Sequence, residues 1–344
     1  MPNVPLSLIS SPSPLWLLER LLRRFFVPLG VTVVIAVVAD EVAISGFDLN
    51  GWDWLWVSGF GTWLMTVYFP LLLPNKLTET LTRLANRGVL TGNDNLAELL
   101  VVLHRKARRS ALSGAVTFVT MIVVAWAVAF QYDLEDRELA VILQSIAAVP
   151  VGLFAGRAIS YGRLSRRLGE AGFTLTPDPD HLDGAAGLRP IGAFYFHQSG
   201  LLAIPGAFLA VWWFLIPFFG DRYLHWRAPY AGLLLIIVVC QFLGFILPMR
   251  SFHGVMLDRK NQLFQEADEL SRRSVRARPD AAIHERWVKR YSMIESMATW
   301  PTDIKIRRRF ELRNFVLLIP VVTQALGVKG IPGLLESIRR IVSG

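Results

Sequence analysis

The chain has 344 residues, of which 53% are hydrophobic and 18% charged, and its formal net charge is +9 at pH 7. Soluble domains carry about 25% charged residues, so this composition excludes an ordinary soluble domain and is also too apolar for a disordered chain. The counts of 26 glycines, 19 prolines and one cysteine exclude collagen-like and disulfide-stabilised classes. The class that remains is an all-α polytopic membrane protein.

Six stretches are long and apolar enough to cross a bilayer as helices, since about 20 apolar residues cover roughly 30 Å of hydrocarbon. The predicted transmembrane domain, residues 1–249, arranges them as three helical hairpins. The spans lie at about residues 25–44, 54–73, 111–131, 139–159, 200–219 and 229–249. The first is too long for a cleavable signal peptide. A helical cytoplasmic tail, residues 250–344, is expected to follow.

The distribution of lysine and arginine predicts the orientation of these spans. The segments on one side carry 33 basic and 18 acidic residues, whereas those on the other side carry 3 basic and 9 acidic residues. Because cytoplasmic loops are enriched in Lys and Arg, both termini are predicted to be cytoplasmic, at the bacterial inner membrane. We expect the basic tail to contact anionic lipid headgroups, and we do not expect the chain to bind nucleic acid.

Proline marks two places where a span is expected to pass into a second helix at the inner interface. Pro74 and Pro248 each end an apolar run and precede a polar helical stretch, and proline loses no hydrogen bond in a first helical turn. After Pro74, residues 75–109 are predicted to form two short helices that are separated at residues 91–94.

The tail is predicted to contain a helical hairpin. Its first helix covers Met249–Arg276, and the second carries an apolar stripe at helical spacing that consists of Ile283, Trp287, Tyr291, Ile294 and Ala298. The two helices are expected to pair with each other or with copies in other subunits. Residues 315–326 are too few for an ordinary span and are predicted to be interfacial or buried. Pro332–Val342 has the pattern of an in-plane amphipathic helix.

Ionisable residues inside the spans are few. Asp40 and Glu41, at the outer end of the first span, would form an acidic ring that favours cations if they faced an oligomer axis, or would otherwise be solvated helix ends. Gln144 and Gln241 are candidates to line a pore, or to form hydrogen bonds between helices. The absence of a midplane carboxylate or histidine argues against a proton-coupled transporter.

The densest polar pattern lies in the predicted cytoplasmic loop before the fifth span, where Asp178, Asp180, His181 and Asp183 fall within six residues. Aspartate beside Pro or Gly commonly forms tight turns. The same oxygens are weak candidates for a divalent cation site, although the spacing is not that of an EF-hand. In a third interpretation the loop binds a neighbouring cytoplasmic helix, with His181 as a group that changes charge.

The run from His181 to Leu188 reads His-Leu-Asp-Gly-Ala-Ala-Gly-Leu and resembles the His-Pro-Asp-x-x-Gly-Gly-Leu loop of a group of uncharacterised bacterial multi-pass inner-membrane proteins. That group often has a Trp-Pro pair near the C-terminus. This chain has Leu182 where Pro is usual and Ala186 where Gly is usual. The residues that carry the resemblance are His181, Asp183, Gly184, Gly187, Trp300 and Pro301. The resemblance implies a polytopic inner-membrane protein and supplies no activity.

No Walker A loop, dinucleotide fingerprint, zinc spacing or nucleophile elbow is present, so we assign no catalytic residue and no cofactor. The leading hypothesis is a homo-oligomeric ion channel or pore. The alternative is a membrane-embedded sensor or scaffold whose cytoplasmic helices bind a protein partner, which requires that the stripe over residues 283–298 stays open. A third hypothesis is a lipid-modifying enzyme that uses Asp180, His181 and Asp183.

Overall fold

The computed structural model describes residues 35–44, 53–92, 95–128, 137–219, 227–277 and 281–325, together with Arg24, Thr32, Gly46 and Leu224. Within these residues the structure is predominantly helical, as the all-α prediction requires. Leu96–Val124 and Tyr230–Ser274 are long and apolar enough to cross a membrane. A third span is added if Arg189–Leu201 and Ala203–Phe219, which are bent by 42° relative to each other, cross together.

Residues 35–44 are helical, and the helices and strands that follow are α1 (Trp54–Tyr68), α2 (Leu73–Asn86), β1 (Leu90–Gly92), α3 (Leu96–Val128), α4 (Arg137–Gly162), α5 (Leu164–Glu170), β2 (Phe173–Leu175), α6 (Arg189–Leu201), α7 (Ala203–Leu215), α8 (Arg227–Ala277), α9 (Ala281–Ser296) and α10 (Ile304–Ala325). A 3-10 turn separates α1 from α2, and Pro74 lies in the first turn of α2, as predicted. The two strands pair antiparallel, with Leu90 opposite Leu175.

The separation predicted at residues 91–94 is confirmed, because α2 ends at Asn86 and α3 begins at Leu96, but two other predictions about helix ends are wrong. The segment after residue 94 is not a separate short helix, because α3 continues from Leu96 into the predicted third span. Similarly, α8 is a single helix of 51 residues that contains Pro248. A proline inside a helix costs about 3 kcal/mol. The buried face of α8 continues past this proline through Phe245, Met249 and Phe252, and burial of these side chains offsets that cost.

Helices α3 and α4 pack backbone against backbone through glycines. A Cβ atom at Gly114 would lie 2.2 Å from the carbonyl oxygen of Gly152, and one at Gly156 would lie 1.9 Å from that of Ser110. Gly152 and Gly156 are four residues apart and therefore share one face of α4. Small residues of this kind allow two helices to approach closely in a lipid environment, where apolar side chains gain little from leaving the lipid.

One hydrophobic core joins the segments that are predicted to lie on the cytoplasmic side. It contains side chains from α2, α3, α6, α8, α9 and α10, among them Leu77, Leu81, Leu103, Phe194, Tyr195, Phe252, Met256, Ile294 and Phe310. The tail helices therefore share their core with the two connections that precede them in the chain.

Helix α10 lies along α7 and α8. The ring of Phe310 stacks on that of Phe245, with 4.4 Å between ring centroids. About two turns further along, Leu317 approaches Gly206 of α7 and Ile237 of α8. Residue numbers rise along α10 as they fall along α8, so the two helices are antiparallel. The predicted interfacial or buried segment belongs to this helix, and the predicted helix over residues 332–342 lies outside the described residues.

Candidate functional site

The segment between β2 and α6, residues 176–188, is organised around the carboxylate of Asp183, and we call it the aspartate loop. The side chain of Asp183 is only 7% exposed. Its Oδ1 accepts hydrogen bonds from the backbone N–H groups of Ala185 and Gly187, both at 2.9 Å. Its Oδ2 accepts one from Arg87 Nη1 at 3.1 Å. Hydrogen bonds to an ionised acceptor are among the stronger ones, so Asp183 fixes the shape of the loop.

The backbone of the aspartate loop turns through the left-handed region. Gly184, Ala186 and Gly187 have φ angles of 69°, 50° and 87°. A Cβ atom at Gly187 would lie 2.6 Å from a methyl group of Val89, so this position requires glycine. Ala186 adopts a conformation that costs a side chain of order 1 kcal/mol.

The other polar groups of the aspartate loop do not converge on one point. Asp178 Oδ1 accepts the backbone N–H of Asp180 at 3.0 Å, whereas the Asp180 carboxylate lies 3.5 Å from Arg290 of α9. His181 Nδ1 accepts the backbone N–H of Asp183 at 3.3 Å. Among the described residues, no three His, Cys, Asp or Glu side chains are grouped so that they could hold a metal ion. The geometry is that of tight turns, with Asp180 in contact with a neighbouring helix.

The Trp-Pro pair lies close to the end of the aspartate loop. A Cβ atom at Gly192, in the first turn of α6, would lie 2.0 Å from the carbonyl oxygen of Pro301. Trp300 stacks on His253 of α8, with 4.5 Å between ring centroids and 18° between the ring planes. His253 Nδ1 in turn donates to the carbonyl oxygen of Thr299 at 2.5 Å. The run from His181 to Leu188 and the Trp-Pro pair are distant in sequence, but they lie near each other in the fold.

Two residues that hold the site together were missed by sequence reasoning. Asp303 caps α10 by accepting the backbone N–H of Ile306 at 2.7 Å, and it pairs with Arg189 at 3.0 Å. The helix-capping pattern of Asp303 was a signal that could have identified it. Arg87 has no such signal, because it is 96 residues from Asp183 and only the folded chain brings them together.

Two charged side chains near the predicted inner boundary are held by hydrogen bonds. Glu79 of α2 accepts a hydrogen bond from Lys76 Nζ at 2.9 Å, and this bond lowers the pKa of Glu79 below its ordinary value. Arg167 Nη1 donates to Ser160 Oγ at 2.7 Å, and burial lowers the pKa of Arg167. With its pKa lowered, Glu79 stays ionised at neutral pH, and the guanidinium of Arg167 is not deprotonated there. Both side chains therefore carry a charge at the predicted inner boundary.

The candidate pore residues lie in different environments. Glu41 is buried, and its Oε2 accepts the backbone N–H of Asp53 at 2.9 Å, just before α1. Asp40 is exposed. Gln241 is completely buried in α8, and neither atom of its amide has a hydrogen-bond partner among the described residues. Gln144 belongs to α4, but its side chain lies outside the described residues. Glu41 therefore fastens the first helix to the start of α1.

The second half of α8 and α9 form the tail hairpin, residues 250–296. The two helices are antiparallel, since Lys260 Nζ donates to the carbonyl oxygen of Glu295 at 2.6 Å and the ring of Phe264 stacks on that of Tyr291. Near the connection between the helices they separate and leave a groove of about 510 Å³. The groove is lined by Leu263, Glu266, Ala267, Leu270, Ser274, Ile283, Arg286, Trp287 and Arg290. The predicted apolar stripe is therefore covered at one end and open at the other.

Comparisons of the chain with protein-family models, with curated proteins and with solved structures found no match. The aspartate loop uses its polar groups to bind its own backbone, Arg87 and α9. The groove combines an apolar floor with charged edges.

Proposed function

We propose that the protein is a scaffold or sensor of the bacterial inner membrane, in which six transmembrane helices with cytoplasmic termini carry a hairpin that docks a cytoplasmic protein. The observation that carries the proposal is the open groove of the tail hairpin. There Leu270 is 51% exposed and Trp287 is only half-buried. Exposed apolar surface beside charged side chains is typical of protein-binding sites, and tryptophan and arginine are enriched among the residues that dominate binding.

The groove fits one face of an amphipathic helix that carries acidic side chains. Its length along two antiparallel helices allows a helix to lie in it with aliphatic side chains against Trp287 and Leu270. Arg286, at the edge, is exposed and forms no ion pair within the part of the chain that the structure describes. A carboxylate of the partner would supply the missing opposite charge and fix the orientation of the docked helix.

Docking would be coupled to the aspartate loop through Arg290. This side chain lines the groove and also lies 3.5 Å from the carboxylate of Asp180. An acidic partner that approaches the groove competes with Asp180 for the same guanidinium. Because the loop leads directly into α6, which continues into the bent α6–α7 pair, occupation of the groove would be sensed by a membrane-embedded helix. The sensor interpretation depends on this coupling.

Site-specific photo-crosslinking in intact bacterial membranes tests the docking proposal. A photoreactive amino acid is placed at Ile283, which lines the groove, or as a control at Glu285, which is exposed and does not line it. We expect a discrete adduct with a different polypeptide from position 283 only. The adduct should be lost on Trp287→Ala and on Arg286→Glu, and the purified partner should bind the full-length protein with the same dependence.

Three results of this experiment would contradict the proposal. An adduct of twice the mass of the chain would mean that a second copy fills the groove. Adducts of equal yield from positions 283 and 285 would mean that the contact is not specific to the groove. No adduct from either position would leave the hairpin without a partner in the membrane.

Ion conduction by a homo-oligomer is the second proposal. It is supported by the exposure of Asp40 at the predicted outer end of the first span and by the scarcity of lysine and arginine on that side. Since Glu41 is bound to the backbone of Asp53, Asp40 alone would supply the acidic ring. In planar bilayers, Asp40→Asn should reduce cation selectivity. A protein that passes no current at any voltage or lipid composition is not a channel.

Membership in the group of inner-membrane proteins with the similar loop is also a proposal. It is supported by the proximity of the loop and the Trp-Pro pair, since Gly192, four residues after the loop, packs against Pro301. It is further supported by the left-handed backbone at Ala186, where that group usually has glycine. We infer that the loop and the pair serve one structural purpose, which is to fasten α6 to the start of α10.

A further inference from the structure

Arg313 lies where α10 passes α6, and its charge is held by neutral groups. Its Nη2 donates to Ser199 Oγ at 2.8 Å. The guanidinium carbon lies 4.8 Å from the ring centroid of Phe196 and 5.5 Å from that of Phe310. No carboxylate pairs with Arg313 among the residues that the structure describes. A guanidinium that is fixed by a hydroxyl and two aromatic rings has a defined position but no counter-ion.

The backbone of α6 makes room for this guanidinium. A Cβ atom at Gly200 would lie 2.8 Å from Arg313 Nη1, so a larger side chain there would displace the charge. Arg309 lies one turn before Arg313 on the same side of α10. It is exposed, and within the described residues it also forms no ion pair. Arg309 and Arg313 therefore lie one turn apart on the same side of α10, and neither has a counter-ion among the described residues.

Apolar side chains continue from the arginine pair along α10. Leu312 and Val316 are 64% and 49% exposed, and they lie on the same flank of the helix as Arg309 and Arg313. The neighbouring stretch of α8 also exposes apolar side chains, Phe242 and Leu243 among them. Exposed apolar surface of this kind faces acyl chains in a membrane protein. The long arginine side chains can then extend toward the headgroup region.

We propose that Arg309 and Arg313 bind the phosphate group of an anionic phospholipid of the inner leaflet, with an acyl chain against Leu312 and Val316. The planar guanidinium groups match the geometry of phosphate oxygens. Ser199 and Gly200 position Arg313 for this contact. Free inorganic phosphate shares the headgroup chemistry, but it lacks the chain that would cover the apolar flank.

Lipid binding by the purified full-length protein in a neutral detergent tests the proposal. Native mass spectrometry would follow titrations with phosphatidylglycerol, with phosphatidylcholine and with inorganic phosphate. We expect Arg313→Gln and Gly200→Leu each to weaken phosphatidylglycerol binding at least about tenfold, as expected for loss of a charged hydrogen bond. Arg308→Gln is the matched control, because Arg308 is exposed on the same helix about 140° around from Arg313. It should change the affinity less than about twofold.

Gly200→Leu retains every positive charge. A loss of affinity for phosphatidylglycerol in this variant therefore distinguishes a specific binding site from general electrostatic attraction. Equal losses for Arg308→Gln and Arg313→Gln, or equal binding of the two phospholipids, would overturn the proposal. Inorganic phosphate that binds as tightly as phosphatidylglycerol would assign the site to a free anion instead. Should Arg313→Gln fail to fold, Arg313→Lys keeps the charge without the planar fork and is expected to retain a weakened preference for the anionic lipid.

Discussion

At the scale of single residues, Asp183 accounts for the shape of the aspartate loop. Its carboxylate receives two backbone N–H groups from its own loop and a side-chain N–H from Arg87, which is attached to a different helix. Asp180, only three residues earlier, is exposed and makes a single long ion pair. Neighbouring aspartates in one run thus have unequal structural roles.

Replacing Asp183 by Ala should lower the free energy of unfolding by about 2–3 kcal/mol, because buried donors lose a charged acceptor. Asp180→Ala is the control, and its effect should stay below about 1 kcal/mol, since it removes one exposed ion pair. Equilibrium unfolding of the purified protein in detergent micelles measures both. Equal effects of the two substitutions would mean that the loop is not held by Asp183.

Sequence reasoning anticipated part of this site. Aspartate beside glycine and proline predicted tight turns, and turns are what residues 178–187 form. It could not identify Asp183 as the aspartate that organises the loop, because this role depends on a contact with Arg87, which is remote in the chain. It also could not tell that Gln241 is buried without a hydrogen-bond partner among the described residues, since burial depends on which helix α8 meets.

At the scale of helices, the α3–α4 pair depends on glycine at the crossing. The approach of Gly156 to the backbone of Ser110 leaves no space for any side chain. Long runs of apolar residues predicted the membrane-spanning part of both helices, but such runs do not report the distance between two backbones. The pattern Gly152-x-x-x-Gly156 was the available local signal for close packing.

Gly156→Leu should separate α3 from α4 and lower the thermal midpoint by about 5 °C or more, which corresponds to about 2–3 kcal/mol of overpacking. The matched control is Gly244→Leu, since a Cβ atom at Gly244 meets no atom within 4 Å. Thermal unfolding of the two variants in the same detergent checks the prediction. A midpoint of Gly156→Leu that equals that of the control would show that the helices tolerate separation.

At the scale of the whole molecule, hydropathy predicted which segments are apolar but not how they assemble. The two tail helices were expected to pair with each other or with copies in other subunits, and within the chain they pair with each other. The core of this hairpin is nevertheless shared with α2 and α6, which precede it by many residues. The course of α10 beside α7 and α8 was likewise not predictable, because its contacts are with residues 206 and 237–245. Contacts between distant segments leave no periodic trace in a sequence.

The position of α10 predicts that its second half lies in the bilayer. Phe315 and Val322 are exposed at 66% and 52% on this helix, so nitroxide labels at these positions should be accessible to oxygen and protected from a polar relaxation agent. A label at Ser292, exposed on α9, should show the opposite behaviour. The labels are introduced into a Cys240→Ser background and measured in liposomes. The prediction would be contradicted if the labels at positions 322 and 292 were equally accessible to the polar relaxation agent.

The uninterrupted course of α8 has a mechanical consequence. Its 51 residues correspond to a rod of about 76 Å, whose first part is apolar and whose second part bears α9. Because one helix bears both the groove and the apolar segment, binding of a partner at its C-terminal end would act directly on the orientation of the apolar part. A bend at Pro248 would set how much of that motion is transmitted.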